Sequence, residues 1–228
     1  DSAHHMPATQ LVEVLAREYG SGWDQRFKRL SFEPIAAASI GQVHRAQTHE
    51  GRVLALKIQY PGVRQSIDSD VANLGLLART PGLVPAAIDV APLLARVREQ
   101  LHRETDYRAE AQALTEYRAR LGEDAVLWVP AVVPEHCTAH ILATEFAPGV
   151  PVDRLGDAPQ PGQPELAQDQ RDRVAHALAS LTVREFFEMG LVQTDPNFAN
   201  YLYDAETGRI ALLDFGATEA VLPLRREQ

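Results

Sequence analysis

The chain has 228 residues, of which 45% are hydrophobic and 23% are charged. This composition is typical of globular proteins and excludes an intrinsically disordered chain, a collagen and a coiled-coil array. Lys and Arg number 22 against 31 Asp and Glu, so the formal net charge of -9 predicts no nucleic-acid partner. Because the chain holds no run of about 18 or more apolar residues, we expect no transmembrane span in it.

A single cysteine, Cys137, leaves no internal disulfide or thiolate metal site to form. We therefore predict a reducing, cytoplasmic location and a small buried side chain at this position. The chain begins with Asp1 rather than Met, and we expect it to be a fragment of a longer protein. A peripheral association of that longer protein with a membrane stays open.

The first half of the chain predicts a helix, a β-hairpin and a long second helix. Apolar residues recur every four positions within residues 9–20, with Thr9 as the predicted N-cap and Gly20 as the stop. Residues 40–46 and 53–60 are rich in branched and apolar side chains, and Gly51 lies in the turn between them, which predicts the hairpin. Residues 92–121 have Pro92 in the first turn and no later Pro or Gly, which predicts one helix.

The helix predicted at residues 92–121 carries two carboxylates on apolar faces. Four apolar or aromatic residues surround Glu110 at helical spacing: Tyr107, Leu114, Tyr117 and Leu121. Glu104 shares a face with apolar residues of the neighbouring turns. An unpaired buried carboxylate is costly, so Glu110 requires a cation, and Lys57 is the leading candidate.

The second half of the chain predicts strands, a linker, a helix and another hairpin. Residues 126–133 and 140–146 are predicted strands, and the Pro- and Gln-rich residues 156–168 are a predicted linker between lobes. Residues 173–189 return to helical spacing, with Gly190 just past the end. Residues 201–203 and 209–213 predict a hairpin around a turn at 204–208. This order of elements predicts the α+β class.

Five side chains spread over these elements carry the groups that phosphoryl transfer requires. Lys57 lies on an early strand and Glu110 on a following helix, Asp195 and Asn200 stand five positions apart, and Asp214 follows the second hairpin. The reaction needs a lysine for phosphate oxygens, a carboxylate that holds the lysine, an Asp and an Asn for Mg²⁺, and an Asp near the acceptor. A strand lysine alone would more often reach into solvent, so the combination carries the hypothesis.

Asn200 and Asp214 are the predicted metal ligands. A loop from Asp195 to Asn200 can fold back on itself, and the hairpin then brings Asp214 alongside. Mg²⁺ prefers oxygen ligands and usually takes one or two protein side chains besides phosphates and water. A larger set of carboxylates would have favoured Ca²⁺ instead.

These motifs resemble the UbiB family of atypical protein-kinase-like proteins, the group associated with coenzyme Q biosynthesis. The resemblance covers residues 6–221 and rests on an alanine-rich segment at 36–44, a lysine strand at 54–63, a Glu-x-Asp element at 104–106, and loops at 194–200 and 213–217. It implies a bilobal protein-kinase-like fold, with an antiparallel sheet plus helix in the N-lobe and a truncated, mainly helical C-lobe. The N-lobe with its N-terminal helix is expected at residues 1–147, and the partial C-lobe with the catalytic and metal-binding loops at 148–228.

The same resemblance implies a function and the roles of single residues. It implies an atypical kinase or ATPase that binds ATP or ADP with Mg²⁺ and supports ubiquinone-type lipid biosynthesis, with lipid or ubiquinone-pathway proteins as partners. Lys57 would contact the α- and β-phosphates, Glu110 would hold that lysine, and Asp195 would orient the acceptor or water. The remaining nucleotide contacts are expected at Ala36, Ala37, Ala38 and Ser39 over the phosphates, and at Glu145 and Ala147 beside adenine.

Two alternatives to an active kinase of this family stay open. Gln193-Thr194 replaces the His-Arg that precedes the catalytic Asp of ordinary kinases, and alanines, which resist positive φ, replace flexible glycines. These departures favour a pseudokinase-like module that binds nucleotide without turnover. A small-molecule kinase of the aminoglycoside or choline type shares the spacing of Asp195 and Asn200. The sequence at 214–216 and the alanine-rich segment argue against that third reading.

Overall fold

The computed structural model describes residues 6–78, 80, 90–155 and 166–221. Backbone contacts divide the chain into two compact units, each with its own β-sheet. The first unit comprises Asp1–Ala109 and Pro134–Ala143, and the second comprises Glu110–Val133 and Thr144–Gln228.

Short strands and longer helices make up both units. The described α-helices are α1 (Ala8–Tyr19), α2 (Val63–Ala78), α3 (Ala91–Glu104), α4 (Tyr107–Leu121) and α5 (Gln168–Arg184). A π-turn, Glu185–Met189, continues α5. The described strands are β1 (Arg29–Leu30), β2 (Ala36–Ala38), β3 (Gly41–Gln47), β4 (Val53–Gln59), β5 (Leu127–Trp128), β6 (Ile141–Glu145), β7 (Val150–Pro151), β8 (Leu191–Gln193), β9 (Tyr201–Asp204), β10 (Arg209–Leu212) and β11 (Thr218–Ala220).

The first unit is built on a sheet in the order β1-β3-β4-β6, with β2 also paired to β3. β3 and β4 pair antiparallel over their whole length, with Gly41 opposite Gln59. Alternate residues of β4 are fully buried, namely Leu54, Leu56 and Ile58. The hairpin predicted at residues 40–46 and 53–60 is therefore confirmed.

Gly41 marks a close approach between β3 and β4. A Cβ at this position would overlap the carbonyl oxygen of Ile58 and would lie 3.0 Å from the Tyr107 hydroxyl. The carbonyl belongs to the backbone of a paired strand, so it cannot rotate away as a flexible side chain could. Glycine is therefore required here by packing within the sheet rather than by a positive φ.

The N-terminal helix is confirmed, but its cap differs from the prediction. α1 buries three apolar residues, Leu11, Val14 and Leu15. Its N-cap is Pro7, with no side-chain hydrogen bond, and Thr9 lies within the first turn, so the prediction of Thr9 as N-cap is wrong. The missing N–H of proline costs no hydrogen bond at this position, because the first N–H groups of a helix have no partner within it. The helix stops at Gly20, whose φ is 85°.

The single helix predicted over residues 92–121 is wrong, because α3 and α4 are separate helices that meet at Thr105 and Asp106. The Thr105 hydroxyl donates to the His102 carbonyl at 2.7 Å. The Asp106 carboxylate accepts from the N–H groups of Arg108 and Ala109, each at 3.1 Å, and so caps α4. Side-chain hydrogen bonds cause this break, which a search for Pro and Gly does not detect.

The second unit holds a four-stranded sheet in the order β5-β10-β9-β7 and a two-stranded sheet of β8 and β11. β9 and β10 form the predicted second hairpin, and Gly208 adopts a φ of 69° in its turn. The strands share one hydrophobic core with α4 and α5. Its fully buried members include Tyr117, Ile210, Leu212 and Phe215.

Two predicted boundaries in the second unit change. The strand predicted at residues 126–133 shrinks to β5, followed by a single bridge at Val132, because Pro130 has no N–H to continue the ladder. The helix predicted at 173–189 begins earlier, at Gln168, and its π-turn ends at Gly190, which has the expected positive φ of 62°. Of the predicted linker at 156–168, residues 156–165 lie outside the described residues.

Candidate functional site

The residues predicted to bind nucleotide and metal are carried by both units. The first unit holds Lys57, the alanines of β2 and Ser39. The second unit holds the remaining predicted residues, which are Glu110, Glu145, Ala147, Asp195, Asn200 and Asp214. Each unit positions its own set through its own elements.

The alanine-rich segment is a β-strand rather than a flexible loop. Ala36–Ala38 form β2, which pairs with β3 so that Ala38 lies opposite Gly41. Ser39 and Ile40 make the two-residue turn between these strands. Among the described residues, only glycines have a positive φ. The turn is therefore made without the left-handed conformations that glycine allows.

The register of the sheet places Lys57 on the same face as Ala36 and Ala38, whereas Ala37 points to the other face. Val43 of β3 pairs with Ala36 of β2 on one side and with Lys57 of β4 on the other. Directly opposed residues of paired strands point to the same face of the sheet. The Lys57 amine lies 5.3 Å from the ring centroid of Tyr107, within the range of a cation–π interaction. The strands of the first unit thus present small alanine side chains and one amine together.

Gln59 ties the lysine strand to the start of α4. It is 2% exposed, and its side-chain amide donates to the Thr105 carbonyl at 3.2 Å. Its backbone N–H donates to the His140 carbonyl at 3.0 Å, at the entry to β6. Thr105 lies in the break before α4, so β4 and the beginning of that helix are fixed together within the first unit.

Glu110 is buried, with 5% of its surface exposed, which confirms the sequence interpretation of its helical face. Three of its predicted neighbours belong to the core of the second unit: Leu114, Tyr117 and Leu121. Glu104 is only half-buried, so the expectation of a second carboxylate facing buried surface is wrong in part. Asp106 is exposed and acts as a helix cap. The pairing of Glu110 with Lys57 stays a prediction.

The β9–β10 hairpin brings Asn200 and Asp214 together. Asn200 directly precedes β9 and Asp214 follows β10. The Asn200 amide donates to Oδ2 of Asp214 at 3.2 Å, and Oδ1 of Asp214 accepts from the N–H of Gly216 at 3.1 Å. The N–H of Leu213 donates to the Asn200 carbonyl at 3.1 Å, which links the two loops through their backbones. Both side chains are half-buried.

This pair of side chains fits a magnesium ion. An octahedral Mg²⁺ with bonds of about 2.0–2.1 Å has neighbouring ligand atoms about 2.9 Å apart. The two side-chain heads of Asn200 and Asp214 lie 3.2 Å apart, and half a turn of the amide exchanges its nitrogen for its oxygen. One carboxylate and one amide oxygen leave the other positions to phosphate and water, as is usual for Mg²⁺.

Asp195 lies two residues after β8 and is exposed. The preceding residue, Thr194, donates to the Ala217 carbonyl through its N–H at 2.8 Å and its hydroxyl at 2.7 Å. The Asn197 side chain caps the short turn that leads to Asn200. The loop is therefore held on both sides of Asp195, while the carboxylate is accessible to an incoming hydroxyl group.

Glu145 and Ala147 lie at and just after the end of β6. The N–H of Glu145 donates to the Ala131 carbonyl at 2.9 Å, and its carboxylate accepts from the N–H of Ala131 at 3.1 Å. Ala147 is 6% exposed. The Glu145 side chain thus has a structural role, and the predicted contact with adenine would fall on main-chain groups of these two residues.

Two buried polar residues behind the loops were missed as site residues by sequence reasoning, which marked Gln193 only as a departure from ordinary kinases. Gln193 donates to the Asp214 carbonyl and accepts from the Tyr201 hydroxyl at 2.6 Å. Glu185 accepts from the N–H of Gln193 at 3.3 Å and from the Tyr117 hydroxyl at 2.7 Å. These bonds form a network beneath the metal loop.

Burial shifts the pKa values of the titrating groups in this network. Burial raises the pKa of Glu185 above its ordinary 4.5, against the opposing effect of its two hydrogen bonds. Burial, and then the bond to Glu185, raises the pKa of Tyr117 far above 10. Burial raises the pKa of Tyr201 to about 12. Both tyrosines therefore remain protonated donors at neutral pH.

A sequence signal for both missed residues exists. Glu185 follows Leu178 and Leu181 at the i−7 and i−4 positions, the same helical spacing that marks Glu110. Gln193 alternates with Leu191 in a short strand, so the period of two places it on the same face as a buried leucine. A polar residue on a buried face indicates a hydrogen-bonded role.

Residues outside the site have local partners. His140 lies with Nδ1 2.9 Å from Glu18 Oε1. Cys137 is half-buried and its Sγ accepts from the N–H of Ala143 at 3.3 Å, so the expectation of a buried hydrophobic cysteine is wrong in part. Among the described residues, no cluster of three or more His, Cys, Asp or Glu could hold a metal. None of the described helices is long and apolar enough to cross a bilayer.

Solved structures show the class of fold. The Rv3197–erythromycin complex from Mycobacterium tuberculosis matches with a TM-score of 0.78 and 29% identity over 96% of this chain and 53% of that chain. The Rio2 kinase–ADP/Mg²⁺–phosphoaspartate complex from Chaetomium thermophilum matches with a TM-score of 0.51 over 91% of this chain and 54% of that chain. Its identity is 14%, so that likeness concerns the fold alone. The chain thus has the α+β, protein-kinase-like fold that the sequence predicts.

The family model described as the ABC1 atypical kinase-like domain matches residues 1–228. The chain belongs to this family, and the resemblance to UbiB atypical kinases seen in its motifs is confirmed.

Curated relatives are named as atypical kinases. Atypical kinase COQ8B, mitochondrial, of Rattus norvegicus is 42% identical over 219 residues, which are 96% of this chain and 40% of the relative. Atypical kinase COQ8, mitochondrial, of Saccharomyces cerevisiae is 38% identical over 218 residues, which are 96% of this chain and 42% of the relative. The chain therefore spans about two fifths of the length of these relatives. Their names place those proteins in mitochondria, which differs from the cytoplasmic location that the sequence favours.

Proposed function

We propose that this chain binds ATP or ADP together with Mg²⁺, as the nucleotide-binding part of an atypical kinase or ATPase that supports ubiquinone-type lipid biosynthesis. The observation that carries the proposal is the 3.2 Å approach of Asn200 to Asp214, two oxygen-bearing side chains from separate loops. The family membership supports the class of reaction. The link to ubiquinone rests on the UbiB resemblance.

The polar side chains divide the work of binding. Asp214 and Asn200 would hold Mg²⁺, Lys57 would contact the α- and β-phosphates, and Glu110 would hold the lysine. When bound, the ion neutralises phosphate charge and fixes the orientation of the phosphate oxygens. The burial of Glu110 supports its role, because a carboxylate with 5% exposure requires compensation by a donor or a cation.

The remaining groups would orient the reactants. Asp195 would accept the proton of an acceptor hydroxyl or orient a water molecule. The hydrogen bonds of Thr194 fix the backbone of the loop that carries Asp195. The alanines of β2 and Ser39 would cover the phosphates, and two of these alanines, Ala36 and Ala38, lie on the face of the sheet that also carries Lys57. Main-chain groups of Glu145 and Ala147 would contact adenine.

Thermal unfolding of the purified chain, with ATP, ADP and Mg²⁺ varied separately, tests nucleotide binding. A ligand that binds the native state raises the unfolding temperature by mass action. We expect ATP with Mg²⁺ to raise it more than either alone. An unfolding temperature that is unchanged in every combination would contradict the proposal.

A nucleotide-binding module without turnover is the second candidate function. Two observations favour it: the phosphate-covering segment is a paired strand without glycine flexibility, and residues 195–200 include no Lys or Arg to neutralise a phosphoryl group in transfer. Steady-state phosphate release separates the candidates. A lower rate in Asp195→Ala than in the wild type supports turnover, whereas equal background rates leave binding only. Glu206→Gln, which removes an exposed carboxylate from the neighbouring hairpin, is the control.

A further inference from the structure

A single buried side chain connects all three loops of the candidate metal site. Gln193 donates to the Asp214 carbonyl and accepts from the hydroxyl of Tyr201 at 2.6 Å. It precedes Asp195 by two positions, and Tyr201 directly follows Asn200. Because Gln193 is only 6% exposed, water competes little for these bonds. This amide therefore adds a buried connection to the bonds that Thr194 and Leu213 make between the loops.

Glu185 holds Gln193 from the interior of the second unit. The carboxylate is 5% exposed, and its Oε1 accepts from the N–H of Gln193 at 3.3 Å and from the Tyr117 hydroxyl at 2.7 Å. The adjacent cation, Arg184, forms its shorter ion pair with Asp124, at 2.6 Å. A buried carboxylate is costly, so an apolar residue of similar size would be the more stable choice for packing alone.

The π-turn that begins at Glu185 is a second unusual feature of this position. Such turns are rare and occur often at functional sites. The N–H of Glu185 still donates to the Leu181 carbonyl, as in an α-helix, but the Glu185 carbonyl accepts from the N–H of Gly190, five residues later. The backbone thus departs from the α-helical pattern at the carbonyl of Glu185, the residue that holds Gln193.

Tyr117 extends the network to the residue after Asp214. Its ring centroid lies 4.5 Å from that of Phe215, which is 1% exposed. The Asp214-Phe215 segment is therefore held twice, by Gln193 at the Asp214 carbonyl and by Tyr117 at the Phe215 ring. Both holding residues donate to the same oxygen of Glu185.

We infer that Glu185 is a positioning residue for the metal site: through Gln193 and Tyr117 it fixes the main chain at Asp214 and thereby sets the affinity for Mg²⁺. This inference rests on the proposed function, because it concerns the ion that Asp214 and Asn200 would hold. Glu185 acts through its neighbours and is not a catalytic residue. Loss of such an outer partner weakens metal sites even when every ligand is retained.

A Mg²⁺ titration at saturating ATP, followed by the unfolding temperature, tests the inference. In Glu185→Leu, the Mg²⁺ concentration that gives half of the stabilisation should rise about 10-fold or more. Glu185→Gln should stay near the wild type, since its amide oxygen still accepts both bonds. Tyr117→Phe keeps the ring contact with Phe215 and loses one bond to Glu185, so it should show a smaller rise.

Leu181→Ala is the matched control, because Leu181 lies one turn earlier on the same helix and is 3% exposed. It should lower the unfolding temperature without changing the Mg²⁺ concentration that gives half of the stabilisation. The inference is overturned if Glu185→Leu behaves in the same way. If Glu185→Leu does not fold, the inference is overturned when Tyr117→Phe needs the same Mg²⁺ concentration as the wild type for half of the stabilisation. A wild-type chain without any Mg²⁺-dependent response would contradict the proposed function and this inference together. A wild-type response with unaltered variants contradicts the inference alone.

Discussion

The two units position their site residues by different means. In the first unit, backbone register places Ala36 and Lys57 on either side of Val43. In the second unit, a buried side-chain network places Asp214 through Gln193 and Glu185. Register depends on main-chain pairing and tolerates many side chains, whereas the network depends on single hydrogen bonds between residues far apart in sequence.

This difference decides where each unit is vulnerable. A substitution harms the first unit when it pushes two strands apart, because the positions of all residues on the strand follow from the ladder. A substitution harms the second unit when it removes one donor or acceptor, because a buried polar partner is then left unsatisfied. The following substitutions separate the two cases.

Gly41→Ala should have the largest effect on stability. The new Cβ would overlap the carbonyl oxygen of Ile58 in the paired strand, so we expect a loss of about 3 kcal/mol in the first unit, the upper part of the range for overpacking. Urea unfolding with hydrogen exchange of the β3 and β4 amides measures it. Gly22→Ala is the control, because a Cβ there would meet no atom within 4 Å. Equal stability of the two variants would contradict the register account.

Tyr201→Phe should produce the next largest change, this time in the second unit. The variant removes the hydroxyl that donates to Gln193 and leaves a buried amide oxygen unsatisfied, at a cost of about 1–3 kcal/mol. Hydrogen exchange of the β9 and β10 amides reports it. Tyr203→Phe on the same strand serves as the comparison, since Tyr203 is similarly buried at 4% exposure. A loss no greater than that of Tyr203→Phe would show that the network is energetically unimportant.

Asp106→Ala should have a smaller effect, about 1 kcal/mol, through loss of the N-cap of α4. Asp106→Asn keeps an acceptor oxygen and should retain most of the stability. Urea unfolding of both variants distinguishes capping from charge. If the Asn variant loses as much as the Ala variant, the carboxylate has another role at this helix break.

Acid should affect the two units in opposite directions, and this is the smallest effect that we expect. Burial lowers the pKa of His44 below its ordinary 6.5, so the stability that its neutral form contributes to the first unit is present above pH 6.5 and is lost as the pH falls. Burial raises the pKa of Glu185, so the second unit gains stability as the pH falls through that raised value.

Hydrogen exchange at pH 7 and pH 5, analysed for each unit, measures this difference. His44 fits a neutral imidazole, with one ring nitrogen 2.8 Å from the Ser31 carbonyl and the other 2.7 Å from the Gln42 amide. His44→Leu should reduce the acid sensitivity of the first unit, to which His136 also contributes because burial lowers its pKa too. Glu185→Gln should remove the contribution of Glu185 to the response of the second unit. Stabilities that change in the same direction in both units would contradict the roles given to His44 and Glu185.

Sequence patterns predict the strands and helices in which burial follows a regular period along the chain. The alternation in β4 predicts the lysine strand and its partner, and helical spacing predicts the burial of Glu110. The break at Thr105 and Asp106 escapes prediction because two side chains cause it, in a segment that has good helical spacing.

The candidate site is predictable to the extent that its residues lie near one another in sequence. The short β9–β10 hairpin explains why Asn200 and Asp214 meet. The bonds of Glu185 to Tyr117 span 68 positions, and those of Gln193 to Asp214 span 21, so local patterns could mark these residues as buried but could not name their partners. Tertiary packing alone determines such pairs.

Isothermal titration of ATP into the wild type and Asp214→Asn, with and without Mg²⁺, tests the central claim most directly. The asparagine keeps the shape of the side chain and an acceptor for the N–H of Gly216, but it lacks the charge that the ion requires. We predict that Mg²⁺ tightens ATP binding in the wild type and in the charge control Glu206→Gln, and that Asp214→Asn loses this gain. An equal gain from Mg²⁺ in Asp214→Asn and the wild type would contradict the account.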